Sequence, residues 1–139
     1  MIAEAVFDRI KNIIAGDKRL ASLVDQVAPS GESLNRMAPR CEIEVAVTGN
    51  ESTFGVDVFP CRLVFDLVVR GPRRWADRAM RAIVRLLNNK RFEGGDVQLE
   101  GLLVQEVSPV VRLDEASYLY NCRAVLTCLA QPMTGGVAV

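Results

Sequence analysis

Arginine is the residue whose type and spacing most clearly suggest a chemical role in this sequence. Five arginines lie between positions 73 and 85, against the single acid Asp77. Four of them recur at helical spacing: Arg74, Arg78, Arg81 and Arg85. Such a stripe fits an acidic protein surface or the wall of a channel that DNA passes through. A solvated helix face that pairs with a neighbour's carboxylates is the simpler interpretation, since no aromatic residues interleave the arginines and the net charge is zero.

Histidine is missing from the sequence altogether. The commonest general base, every Ser/His or Cys/His nucleophile pair and the usual zinc ligand are therefore unavailable. The glycine-rich phosphate-binding, dinucleotide-binding and calcium-binding loop motifs are also missing. The sequence predicts a protein that is not an enzyme and that carries no cofactor.

The thiols and paired carboxylates also have simple structural interpretations. No two of the four cysteines (Cys41, Cys61, Cys122 and Cys128) form a CxxC pair. All four fall in predicted strands, where cysteine behaves as a small apolar residue, so we predict reduced thiols and no metal site. Glu42 and Glu44 are interpreted as a solvated strand face, and Asp114 and Glu115 as an ordinary turn.

The bulk composition is that of an ordinary globular protein. The chain has 139 residues, of which 50% are apolar, and equal numbers of acidic and basic side chains. This length predicts one domain over residues 1–130, with a flexible tail over 131–139. No signal peptide is apparent and no apolar segment is long enough to cross a membrane, so no membrane partner is expected.

Periodicity predicts the elements that would position these side chains. Apolar residues at helical spacing predict a helix up to Ala15, and Asp17 caps a short second helix from Lys18 to about Val24. A third helix begins after Pro72, with an apolar stripe made of Trp75, Ala79, Ala82, Ile83 and Leu86.

Alternating residues predict four strands, which are 41–47, 61–70, 97–107 and 118–130. Residues 28–39 have loop composition, and residues 48–57 are interpreted as a projecting hairpin loop. Val64 and Val68 lie on the nominally polar side of their strand, which indicates that something covers that face. Two hairpins separated by a helix predict an α+β fold with a four-stranded, mostly antiparallel ββαββ sheet, helices on one face and an N-terminal helical pair.

This layout resembles the tail-terminator (tail-completion) proteins of long-tailed bacteriophages, the group that includes the lambda minor tail protein U. The resemblance runs from about Ile2 to Ala130, through "AEAVFDRIKNIIAGDKRLASLV", "LVFDLVVRG", "ADRAMRAIVRLLN" and "EGLLVQEVSPVVRLDEASYLYNCRAVLTC". It rests on length, element order and local composition. The tail after Pro132 is longer than the family pattern.

The resemblance implies a virion protein of the tail or neck, assembled in the host cytoplasm. Such proteins form rings, usually hexameric, that close the tail tube and present a surface to the head connector or stopper protein. DNA would meet the ring only by passing through its lumen. The contacts with subunits, tube and connector are predicted at the loop, the arginine stripe and the tail: Gly49, Asn50, Glu51, Ser52, Thr53, Phe54, Gly55, Arg74, Arg78, Arg81, Arg85, Gln131, Pro132 and Met133.

Three other interpretations remain open at this point. Another neck protein, such as a head-tail stopper, shares the same assembly logic. A ferredoxin-like ligand-binding domain or small enzyme would need an enclosed pocket with convergent polar groups. A nucleic-acid binder that uses the arginine stripe would bind with a steep salt dependence.

Overall fold

A computed structural model describes residues 2–32, 39–52, 54–113 and 118–133. Within those ranges the chain forms three helices and six strands. In chain order they are α1 (Ile2–Ala15), α2 (Lys18–Leu23), β1 (Gln26–Pro29), β2 (Arg40–Val47), β3 (Phe59–Arg70), α3 (Arg73–Leu87), β4 (Val97–Val107), β5 (Val111–Arg112) and β6 (Leu119–Pro132).

The predicted N-terminal helical pair is confirmed. Helix α1 buries Val6, Ile10 and Ile14, which recur every four residues and so share one helix face. Asp17 caps α2, and its carboxylate accepts hydrogen bonds from the backbone amides of Arg19 at 2.9 Å and Leu20 at 3.1 Å.

One mixed sheet runs in the order β1-β2-β3-β6-β4, and the short β5 also pairs with β6. Only the β1–β2 pairing is parallel among the described strands. The longest ladder joins β3 to β6, from Phe59 opposite Ala130 to Arg70 opposite Leu119.

The α+β class is confirmed, but the predicted count of four strands is wrong. Strand β1 takes the start of the predicted 28–39 loop and adds a parallel pair, and β5 adds two residues beside β6. Neither segment is long enough to show the alternation that identifies a strand in sequence. Pro29 is tolerated because it ends a strand at the sheet edge.

The hydrophobic core lies on one side of the sheet, beneath α1 and α3. On β3 it contains alternate residues from Cys61 to Val69, and on β6 alternate residues from Cys122 to Ala130. We call the other side of the sheet the open face. On β3 and β6 it is formed by Arg62, Val64, Asp66, Val68, Asn121, Arg123, Val125 and Thr127.

The open face is partly covered by the chain itself, as the sequence predicted for Val64 and Val68. Val68 is 2% exposed and Val64 is half-buried. The ladder places Val68 between Arg40 of β2 and Asn121 of β6. Burial of Val68 therefore needs no neighbouring subunit.

The predicted apolar stripe of α3 is shifted around the helix in the structure. The core side chains are Ala76, Ala79, Met80, Ile83 and Leu87. Trp75, Ala82 and Leu86 instead point toward the side of α2, where they remain partly exposed. The helix therefore has two apolar surfaces, and the sequence pattern combined residues from both.

Candidate functional site: an arginine groove and a projecting loop

A groove of about 660 Å³ runs between α2 and α3 on the outer surface of the helix layer. We call it the arginine groove, and it is lined by Arg19, Ser22, Leu23, Trp75, Arg78, Arg81, Ala82 and Arg85. Its floor is apolar and its rim carries four guanidinium groups. This combination suits a ligand or partner that is both apolar and anionic.

The position of Trp75 in the groove depends on Gly71, which joins β3 to α3. A Cβ atom on Gly71 would lie 2.4 Å from Cε3 of the Trp75 ring. Gly71 also has φ +119°, a conformation that side chains rarely adopt. Only glycine therefore allows the indole to pack against the backbone here, and Trp75 stays 37% exposed at the groove.

Among the residues that the structure describes, no carboxylate lines the arginine groove. Within the described part of the chain, the guanidinium groups of Arg19, Arg78, Arg81 and Arg85 make no ion pair or hydrogen bond. The groove thus concentrates positive charge that its own surroundings leave unbalanced.

A second depression extends this cationic surface past Arg85, adding Lys18 and Lys90. Asp17 is the one acid among the described residues that line it, and its carboxylate already accepts hydrogen bonds from backbone amides at the start of α2. The positive surface therefore continues beyond the groove itself.

Three of the four arginines of the predicted stripe meet in the groove, and Arg74 does not line it. Arg73 has a structural contact, since its guanidinium donates to the carbonyl oxygen of Val110 at 3.0 Å. Sequence reasoning missed Arg19 and the role of Trp75, because both depend on which helix packs beside α3. The spacing of Arg19, Ser22 and Leu23 on one side of α2 was the available signal.

The projecting loop (residues 48–58) joins β2 to β3, as predicted. The backbone amide of Glu51 donates to the carbonyl of Val58 at 2.8 Å, and the Asn50 side chain accepts from the amide of Ser52 at 2.9 Å. Gly49 and Gly55 belong to the same loop, and Thr53 lies outside the described residues. The loop carries the acids Glu51 and Asp57 and no basic residue.

Phe54 stands at the tip of this loop. Its side chain is fully exposed, and its φ is +51° in the left-handed region that bulky residues avoid. Val56, two residues on, is 43% exposed. An exposed aromatic ring held in an unfavourable backbone conformation suggests a binding role.

The C-terminal contact residues begin inside the sheet. Gln131 and Pro132 extend β6 and pair with Gln98 and Val97, and the amide of Met133 donates to the carbonyl of Asp96 at 3.0 Å. The strand therefore ends two residues later than predicted. Residues 134–139 of the predicted flexible tail lie outside the described residues, and the contact role of 131–133 stays a prediction.

Glu42 differs from its predicted place on a solvated strand face. It is 7% exposed, accepts from Nε of Arg40 at 2.8 Å, and also accepts from the backbone amide of Gly31. Glu44 is exposed as expected, and Asp114 and Glu115 lie outside the described residues. Glu42 is part of the framework because its charge is neutralised within the chain.

The thiols occupy the core. Burial raises the pKa of the Cys41 thiol to about 12, which keeps it protonated and poorly nucleophilic near neutral pH. Cys61 and Cys128 lie directly opposite each other on β3 and β6. Hydrogen bonding with Cys61 and burial raise the pKa of Cys128.

The residues that the structure describes contain no group of three or more His, Cys, Asp or Glu side chains placed to hold a metal ion. None of their helices is long and apolar enough to cross a membrane.

Comparison with known proteins gives a likeness of fold. No protein-family model matches the sequence, and no curated protein does either. Among solved structures, the chain is similar to a chain of the virion of a native gene transfer agent particle. The two share 16% sequence identity with a TM-score of 0.73, over 94% of this chain and 97% of that one.

Proposed function

We propose that this protein is a structural component of a phage-like virion, where it forms a ring that terminates the tail tube and joins it to the head connector. The observation that carries the proposal is the fold shared with a chain of a gene transfer agent virion over nearly the full length of both chains. The tail-terminator role in particular rests on the sequence resemblance described above.

The surfaces of the molecule support an assembly role. The arginine groove and the Phe54 loop are open, partly apolar and charged, which is typical of protein–protein contact surfaces. The buried thiols and the neutralised Glu42 contribute to folding. We therefore propose a structural role without catalysis or cofactor.

The proposed partners follow from this position in the particle. Copies of the chain contact each other in the ring, one side of the ring meets the tail-tube protein, and the other meets the connector or stopper protein. DNA passes through the lumen. The loop, Arg74, the groove arginines and residues 131–133 are the proposed contact residues.

The test measures assembly in solution and on tubes. Light scattering over a concentration series, with and without isolated tail tubes, gives the oligomeric mass, and electron microscopy locates the protein on the particle. A ring of several subunits that caps tube ends is the expected result. A monomer that ignores tubes at every concentration overturns the proposal.

A head-tail stopper is the competing assignment within the same particle. Headless tails and tailless heads separate the two roles, because a terminator binds tails first and a stopper binds heads first. Preferential binding to tailless heads would replace the terminator assignment with the stopper.

A further inference from the structure

The arginine groove and the Phe54 loop are complementary in both charge and polarity. The groove offers four guanidinium groups and the Trp75 ring, and its described lining contains no acid. The loop offers Glu51, Asp57 and a fully exposed Phe54, with no basic residue. The groove supplies positive charge and the loop supplies negative charge, in a chain whose net charge is zero.

The two surfaces cannot meet within one chain. The loop precedes Phe59 at the start of β3, whereas Trp75 packs on Gly71 just beyond the end of β3. At about 3.3 Å per residue, the ends of this 12-residue strand lie roughly 36 Å apart. A loop that fills the groove must therefore come from another molecule.

We propose that the loop of one copy docks in the arginine groove of the next copy, with Phe54 against Trp75 and with Glu51 and Asp57 facing the arginines. The proposal deepens the proposed ring function and rests on it. Because the surfaces are different and lie far apart, the contact is head-to-tail. Repeating such a contact closes a ring when the rotation between copies allows it.

Docking would remove the exposed aromatic ring of the loop from water and place carboxylates beside the arginines of the groove. It buries an aromatic ring that is otherwise fully exposed, beside a second aromatic ring on an apolar floor. It also supplies carboxylates to guanidinium groups that have no partner among the described residues, and such complementarity sets the specificity of an interface.

Two full-length variants test the contact. The loop variant combines Phe54→Ala with Asp57→Ala and keeps an intact groove. The groove variant combines Arg78→Glu with Arg81→Glu and keeps an intact loop. We expect each variant alone to associate at least 100-fold more weakly than the wild type.

Mixing the two variants gives a result that only a head-to-tail contact produces. The intact loop of the groove variant can enter the intact groove of the loop variant. The altered loop and the altered groove that remain cannot bind a further copy. We expect a 1:1 heterodimer of twice the 15.3 kDa chain mass and no ring, measured by light scattering. Failure of the mixture to associate overturns the proposal.

Trp75 reports on the groove directly because it is the only tryptophan in the chain. The groove variant carrying Trp75→Phe is a tryptophan-free donor for titration into the loop variant. We expect a saturable blue shift of the Trp75 emission. Arg62→Glu, an exposed arginine of β3 outside the groove, and Tyr118→Ala, an aromatic exposed by 69% elsewhere, are the matched controls and should leave assembly unchanged.

The outcomes separate this inference from the proposed function. If the wild type forms rings that cap tubes but either variant still assembles normally, the loop–groove contact is wrong and the ring proposal stands. If the wild type never forms rings, the function proposal fails, and the titration still decides the contact. An emission spectrum that does not change at any donor concentration overturns it.

Discussion

Two arginines on the open-face side of the sheet are neutralised by neighbouring carboxylates, whereas the groove arginines make no ion pair among the described residues. On the open-face side of the sheet, Arg40 lies 2.8 Å from Glu42, and Arg123 lies 3.9 Å from Asp66. In the groove, Arg78, Arg81 and Arg85 line one depression to which no described residue contributes a carboxylate. Arginine thus forms ion pairs within the chain on the open-face side, whereas in the groove it contributes an unbalanced positive charge.

This difference indicates where the molecule has unmet binding capacity. A paired arginine has its electrostatic interactions within the fold, so a partner gains little from it. Clustered arginines without acids repel each other and attract an acidic partner surface. The groove is therefore a stronger candidate for a protein contact than the open face, although Leu103 and Leu129 on the open face remain partly exposed.

Gly71→Ala should have the largest effect, because it disrupts the packing that holds the Trp75 ring at the groove. The new Cβ atom would clash with the Trp75 ring at 2.4 Å in a backbone conformation with φ +119°. Strain and overpacking together should lower the free energy of unfolding by about 2–4 kcal/mol. Urea denaturation measures the loss, and the Trp75 emission reports the displaced ring.

Gly101→Ala is the matched control for that substitution. Gly101 also has a positive φ, +62°, but a Cβ atom there meets nothing within 4 Å. Backbone strain alone should cost about 1 kcal/mol. Equal losses for the two variants would show that the contact between Gly71 and Trp75 contributes nothing.

Glu42→Gln tests the ion pair between Arg40 and Glu42 on the open-face side of the sheet, and it should have the next largest effect. It removes the charge that faces Arg40 and weakens the acceptor for the Gly31 amide at a site that is 7% exposed. We expect a loss of about 1–3 kcal/mol in the free energy of unfolding, with assembly unchanged. Glu44→Gln on the same strand is exposed and should change stability by less than about 0.5 kcal/mol.

The outcome that contradicts the Glu42 prediction is a loss of assembly without a loss of stability. That result would assign Glu42 to a contact surface and not to the internal structure of the fold. It would also mean that paired charges on the open face take part in binding.

Long elements could be predicted from sequence because each repeats its period several times. Helix α1 and strand β3 are 14 and 12 residues long, and both were found close to their predicted bounds. Strands β1 and β5, with four and two residues, are too short to show a period and depend on pairing with β2 and β6. Local patterns cannot reveal such pairing.

The candidate site was predictable only in the part that lies on a single element. The spacing of Arg78, Arg81 and Arg85 predicts one cationic helix face. The groove also needs Arg19 from α2 and Trp75 over Gly71, which meet through packing between helices. Glu42 was misassigned for the same reason, because its amide partner Gly31 is 11 residues away in the chain.

The smallest expected effect is a change in the free energy of unfolding that has opposite signs for an arginine of the groove and an arginine of the open face. Arg78→Glu removes repulsion from Arg74 and Arg81 and places the new acid at helical spacing from both. At concentrations below assembly, the monomer should gain about 0.3–0.5 kcal/mol in the free energy of unfolding. Arg123→Glu on the open face instead faces Asp66 and should lose a similar amount. If both variants lose stability equally, the groove arginines are already paired, and the contrast between the two surfaces does not hold.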